Sequence, residues 1–400
     1  MTDHSTDVSL KKTDLKVALI YDRVNTSYGG AEQVILSLKS LFPQAVLVTS
    51  VYNRHQAQWA NVFSDIRVSF LNKIPFAKKH HQWFLSLMPL AFESHDLREF
   101  DLIISVTSAE AKGVITKPNQ LHLCYLLTPP RYLYHFQQGY QQSMSLLNIF
   151  PFKQLWKIIL RYLTWWDQVA IHRPDLIVPL SEIVKDRAKD CYQLDVQKPI
   201  YPPVNVIDLQ TNDQALERFN LPAQFNLVVS RLVFYKRVDL AIRASLAAGE
   251  NLVIVGEGRE KNKLKKLASK LSKTSDAKII FLNSQPQSIV NSLMKKAKLF
   301  LSPGIDDFGL SPLQANFFGT PTLINSKSGV AELFNEYGHG VMITNTTVSE
   351  VIKKMHQSSL LVNKSANIKH VPKQLSQKVF QSQILSVINK HLSITSSNSL

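Results

Sequence analysis

Two cations stand close together in the stretch VVSRLVFYKRVDLAI, where Arg231 and Lys236 follow an apolar run that reads as a buried strand. In a parallel sheet, the first loop after such a strand lies at the carboxyl edge, the side on which ligands bind. A guanidinium and an ammonium converging there can neutralise a diphosphate and stabilise the charge that builds on a departing group. Left solvated, they would be a pair of surface cations without a partner. A second cluster lies in LSPGIDDFGLSPLQANFFGTPTLI, residues 301 to 324, which reads as strand, acidic glycine-containing loop, helix and a further strand. Asp306 and Asp307 fall in the loop and Gln314 inside the helix. A loop carboxylate accepts hydrogen bonds from sugar hydroxyls, and a side chain farther along the helix reaches a ribose. Equally, the two acids can serve only the helix N-terminus, which favours negative charge. A third feature, Gly29-Gly30 before a helix start, bares backbone N–H groups to an anion. By itself it also fits a plain tight loop.

The elements that must position these residues follow an alternating grammar. From Lys16, short β-rich apolar runs alternate with helix-length amphipathic segments, as in parallel sheets covered by helices on both faces. KVALIY, AVLVTSV, DLIISV, LHLCYL and DLIVPL read as strands, AEQVILSLKSLF as a helix, and Ser181 as the N-cap of the helix after DLIVPL. After YPPVNV (201 to 206) the grammar restarts: FNLVVS, NLVIVG, AKIIFL and AKLFLS are strands, separated by helices at 237 to 248, 259 to 273 and 287 to 297. The expectation is an N-terminal domain over residues 1–203 and a second over 204–373, followed by an amphipathic helix near 374–392.

Bulk composition narrows the classes. The 400 residues are 45% hydrophobic and 19% charged, ordinary for globular protein and long enough for two cores. The first residues lack the apolar stretch of a secretory signal, and Phe150 to Ile171 is interrupted by Lys153, Lys157, Arg161 and Asp167, which spoils a bilayer span. Two cysteines, Cys124 and Cys191, in no zinc-like spacing point to a reduced, metal-free interior. A cytoplasmic protein is expected. The net charge of +16 favours polyanionic partners, but the lysines are scattered along helical stretches, which argues against nucleic acid. Residues 70 to 92 and 144 to 166 mix aromatic and aliphatic side chains with Lys, Arg and His. They suit either an anionic membrane surface or the wall of an acceptor pocket.

GGAEQV, SRLVFYKRVDLAI, LVIVGEGRE, DDFGLSPLQANFFGTPTLI and GVAELF, in this order, resemble the family-four retaining glycosyltransferases of GT-B fold over almost the whole chain. CYLLTPPRYLY and PIYPPVN resemble the branch containing bacterial mannosyltransferases. The resemblance implies an α/β molecule of two Rossmann-like doubly wound domains facing each other across a cleft, with the C-terminal helix returning to the N-terminal domain. It implies a metal-independent hexosyltransferase with no cofactor, whose GDP- or UDP-linked sugar donor is a co-substrate. Its acceptor would be a lipid-linked saccharide or other glycan at the inner membrane face. Arg231 and Lys236 would hold the diphosphate, Gly29 and Gly30 would lie near the donor phosphate, and Asp306, Phe308, Gly309 and Leu310 would surround the transferred sugar. Gln314 would meet the ribose, and Thr128, Pro129 and Arg131 would line the acceptor or donor-sugar pocket.

Three positions depart from the family pattern. The signature's two glutamates separated by seven residues are Asp306 and Gln314 here, and Leu127 stands where many relatives carry a histidine. Charge-assisted bonds are about twice as strong as neutral ones, so the amide at Gln314 weakens ribose pairing. A second reading therefore stays open: a chain that keeps the fold but binds nucleotide or glycan without transferring it, or that partners an active transferase. A nicotinamide oxidoreductase fails on its fingerprint, because VGEGRE has two glycines and lacks the full G-x-G-x-x-G.

Overall fold

The computed structural model describes residues 15–135, 137, 139, 152–204, 210–337, 339–359 and 373–397. The opening polar segment, residues 144–151 of the second aromatic and basic stretch, and residues 205–206 of YPPVNV lie outside the described residues. The chain divides into two compact units, one of residues 1–203 and 374–400, the other of residues 204–373.

The first unit holds six parallel strands: β1 (Val17–Tyr21), β2 (Val46–Thr49), β3 (Ile66–Val68), β4 (Leu102–Thr107), β5 (Leu121–Leu126) and β6 (Leu176–Pro179). Their order is β3-β2-β1-β4-β5-β6, so Ala18 of β1 pairs with Val46 on one side and Ile103 on the other. β1, β4 and β5 are buried along their whole lengths, which is why they read as continuous apolar runs. β3 carries no such signal: it has three residues, none fully buried, at the sheet edge. Helices α1 (Gly30–Leu41), α2 (Met88–Glu93), α3 (Phe152–Ala170) and α4 (Glu182–Tyr192) follow in chain order. Ser181 caps α4 as its residue type suggests, its Oγ accepting from the Val184 N–H.

The second unit repeats the plan with β7 (Asn226–Val229), β8 (Leu252–Val255), β9 (Ile279–Leu282), β10 (Leu299–Ser302), β11 (Thr322–Asn325) and β12 (Gly340–Ile343), ordered β12-β11-β10-β7-β8-β9. Its helices are α5 (Val238–Ala247), α6 (Lys261–Leu271), α7 (Gln287–Lys296), α8 (Leu310–Phe317), α9 (Ala331–Tyr337) and α10 (Val348–Ser359). Two apolar layers sandwich the sheet, one built around Leu232, Ile254, Leu301 and Leu323, the other around Leu227, Val253, Leu293 and Phe300.

The last helix, α11 (Gln377–Ser397), belongs to the first unit. Phe380 is fully buried with its ring edge-on to Tyr125 at 5.6 Å, and the Gln381 amide donates to the Ser37 carbonyl of α1 at 2.8 Å. Ile384 and Ile388 extend the buried face at helical spacing.

Candidate functional site

In each sheet the chain order reverses beside the first strand, between β1 and β4 in one unit and between β7 and β10 in the other. The crevice at the carboxyl ends of such a pair is the place where open α/β sheets bind ligands. In the second unit β10 pairs directly with β7, which brings the loops after them side by side.

Those two loops carry the predicted cations and acid. Lys236 Nζ forms an ion pair with Asp306 Oδ1, with side chains 19% and 9% exposed. Ser302 Oγ donates to the other carboxylate oxygen at 3.3 Å. Arg231 is exposed at the start of the same loop and donates to Tyr235 Oη at 3.2 Å. The acid is held from its far side as well: the Asp306 N–H donates to Ser328 Oγ at 3.0 Å, and the Gly329 N–H donates to the Asp306 carbonyl at 3.0 Å. Val330 N–H donates to the Phe308 carbonyl at 2.6 Å.

Glycines make this packing possible by lacking a side chain. A Cβ on Gly304 would lie 2.5 Å from the Tyr235 carbonyl oxygen and 2.6 Å from the Lys236 Cα, so the loop after β10 runs directly over the Lys236 turn. Gly309, at φ +106, caps α8 in the left-handed region, and no side chain caps that helix. The cap residue therefore supplies no side-chain acceptor to the first-turn N–H groups of α8, which begin at Leu310 beyond the carboxyl end of β10. Phe308 is buried behind them, and Gln314 is half-buried one turn farther along. Gly256 and Gly258 sit where a Cβ would collide with the carbonyls of Ser230 and Leu232. Their work is to let the loop after β8 lie against the Arg231 loop, which accounts for the VGEGRE motif without a dinucleotide.

At the corresponding edge of the first unit, Gly29 is the N-cap of α1 and Gly30 its first residue. The first turn already holds a carboxylate: Glu32 is buried, accepts from Tyr21 Oη at 2.8 Å, and lies 3.0 Å from where a Gly29 Cβ would be. Asp22, directly after β1, accepts from Thr107 Oγ1 at 2.7 Å and from the N–H groups of Ser108 and Ala111 at 2.8 and 2.9 Å. Next to it Arg23 pairs with Glu110 at 2.5 Å, and Tyr132 Oη donates to the other Glu110 oxygen at 2.7 Å. Burial disfavours the Arg23 charge, but Glu110 and Asp22 outweigh it and raise its pKa. Burial, reinforced by Glu110, raises the Tyr132 phenol well above its usual range. Below this network Lys112 and Asp167 form a buried ion pair, with Tyr134 and Tyr192 each donating to Asp167 at 2.8 Å.

Thr128, Pro129 and Arg131 follow β5 and are buried, with Thr128 Oγ1 accepting from Arg187 at 3.3 Å. Leu127, half-buried, donates its N–H to the Thr107 carbonyl at 2.8 Å. The structure thus joins Lys236 to Asp306 within one unit, while Gly29, Gly30, Thr128, Pro129 and Arg131 belong to the other. Sequence reasoning missed Asp22, Arg23, Glu32 and Glu110. Asp22 was open to discovery, since an acid immediately after a first buried strand stands at the ligand edge. Glu110 carries no local signal.

Residues 210–370 match the family model described as Glycosyl transferases group 1. An uncharacterized glycosyltransferase of Methanocaldococcus jannaschii is 25% identical over 200 residues, covering 44% of this chain and 51% of that protein. The alpha-1,3/1,6-mannosyltransferase ALG2 of Saccharomyces cerevisiae is 26% identical over 215 residues, covering 44% of this chain and 43% of its own length. The chain thus spans about half the length of these curated relatives. Anabaena HepE, solved in complex with UDP and glucose, is similar with a TM-score of 0.65 at 13% identity, over 94% of this chain and 100% of that one. Two six-stranded parallel sheets with flanking helices, matched along nearly their whole length, give the chain the GT-B fold of glycosyltransferases, with the group 1 match lying inside its second unit.

Proposed function

We propose that the protein is a metal-independent, retaining hexosyltransferase of family four, which moves a sugar from a GDP- or UDP-linked donor to a lipid-linked saccharide or other glycan. The ion pair of Lys236 and Asp306 carries this reading. It holds an ammonium at the switch point of the second sheet, in the loop that carries Arg231 and joined to the loop that leads into α8, where a diphosphate would meet cations and a helix N-terminus. Arg231 and Lys236 would supply the countercharge as the nucleoside diphosphate leaves. Asp306, Phe308, Gly309 and Leu310 would surround the sugar, and Gln314 would meet the ribose. The first unit would take the acceptor near Thr128, Pro129 and Arg131.

The HepE complex supports a uridine nucleotide, and the likeness to a mannosyltransferase supports mannose. We place the protein in the cytoplasm, peripheral to the inner membrane face. Cys124 and Cys191 are both free, and no described helix is long and apolar enough to cross a membrane.

The test is thermal unfolding with GDP-, UDP- and ADP-sugars, because a ligand bound only by the folded state adds about 2.7 kcal/mol at a hundred times its Kd. One sugar nucleotide should raise the melting temperature of the wild type and leave Arg231→Ala unmoved. Equal shifts in both proteins would remove the donor from this loop. Binding without turnover on membrane extract, unchanged by Gln314→Glu, would instead support a nucleotide-binding partner protein.

A further inference from the structure

Helix α3 buries Trp156, Leu163, Trp166 and Ala170, which is the ordinary duty of an amphipathic helix. It also carries a second apolar row. Leu155, Ile158, Tyr162, Trp165 and Val169 are between 40% and 63% exposed, and their alternating spacing of three and four places them on one line along the helix. Lys153, Lys157 and Arg161, spaced by four, form a separate exposed row on the helix flank, with Arg161 next to Ile158 and Trp165. The helix contains one acid, Asp167, and it is buried against Lys112.

The segment at 70–92 extends the same character. Leu85 packs with Trp156 and Leu163, so this segment lies alongside α3. Trp83 and Phe76 are 71% and 69% exposed, Lys73, Lys78 and Lys79 are exposed, and no Asp or Glu occurs between Phe70 and Phe92. Phe76 has φ +65, a costly conformation for a bulky side chain, and here burial does not reward it. Strain held at an exposed aromatic marks a working position.

We propose that this face of the first unit docks on an anionic lipid bilayer, with α3 lying in the interface plane. Its row from Leu155 to Val169 enters the headgroup region, and Arg161 and Lys157 on the adjoining flank reach lipid phosphates. Three observations select this occupant. The two adjoining segments together carry six exposed cations and several exposed apolar side chains, and neither offers an exposed acid. Their prominent rings include Trp83, Trp165 and Tyr162, whose amphipathic type favours a membrane interface. A second copy of the chain would set the same cations against one another, which an isologous contact cannot escape. The proposal rests on the membrane location proposed above and adds the face that docks; its readout is lipid binding, so it fails separately from sugar transfer.

The full chain is sedimented with vesicles of phosphatidylglycerol and, separately, of phosphatidylcholine. Binding to the anionic vesicles should exceed the other by at least about tenfold, weaken with salt, and shift tryptophan emission to the blue. The doubly substituted Ile158→Ser, Trp165→Ser chain and the doubly substituted Lys157→Glu, Arg161→Glu chain should each bind anionic vesicles at least about tenfold more weakly. Both should keep the wild-type melting curve, because the replaced side chains are exposed. The proposal is overturned if the wild type binds neither vesicle or if the variants bind as well as it does. Self-association that Ile158→Ser, Trp165→Ser abolishes, without vesicle binding, would overturn it in favour of a second copy.

Discussion

Among single residues, His122 shows how the fold sets a charge state. It sits fully buried in β5, 2.9 Å from Ser105 Oγ, and burial, helped by Arg173, pushes its pKa down to about 3. The folded chain keeps the ring neutral, whereas the unfolded chain titrates near the ordinary value of about 6.5. Between those values the unfolded state binds more protons, so stability rises with pH and is lost as the pH falls from about 6.5 toward 3. The limiting slope is about 1.4 kcal/mol per pH unit. Urea unfolding between neutral and mildly acid pH should therefore show a shallower loss in His122→Gln than in the wild type, by about one proton. Identical slopes would mean that His122 is not held neutral. The reading of LHLCYL as a strand already placed this histidine in the sheet. The Lys236 to Asp306 pair was less legible: both types were open to reading, but the pairing joins residues 70 positions apart.

At the scale of elements, the candidate site rests on how closely two loops cross. Gly304 has no unusual backbone angle; what it needs is the space a Cβ would take from Tyr235 and Lys236. Gly304→Ala must push the loop after β10 away from the turn at Phe234–Lys236, at a cost of about 1–3 kcal/mol typical of overpacking. The expected outcome is a lowered melting temperature together with loss of the nucleotide-dependent shift. A variant that keeps both would show that the loop crossing does not position Asp306. The strands were legible to within a residue or two wherever both faces are buried. β12 was not, because it opens on Gly340 at φ +150, a residue that gives no strand signal and is required by the backbone of Thr322.

At the scale of the whole molecule, the two units differ in how they are closed. The second is one continuous stretch, while the first is completed only when α11 returns from the chain's far end. Phe380 is the buried anchor of that return, and Phe380→Ala should cost about 3–5 kcal/mol. Denaturant unfolding should show the loss in the transition of the first unit, with the second unchanged. A shift of both transitions together would mean that the units unfold as one. The sequence by itself determined the elements, the doubly wound class, the excess of positive charge and the residue types able to hold a phosphate. These follow from local periodicity and side-chain chemistry, which need no knowledge of distant segments. Only the tertiary structure decided the strand orders, the pairing of Lys236 with Asp306, the carboxylate already occupying the first turn of α1, and the exposed row on α3. Parallel pairing joins segments far apart in the chain, and whether a row of apolar side chains is core or surface depends on what packs against it.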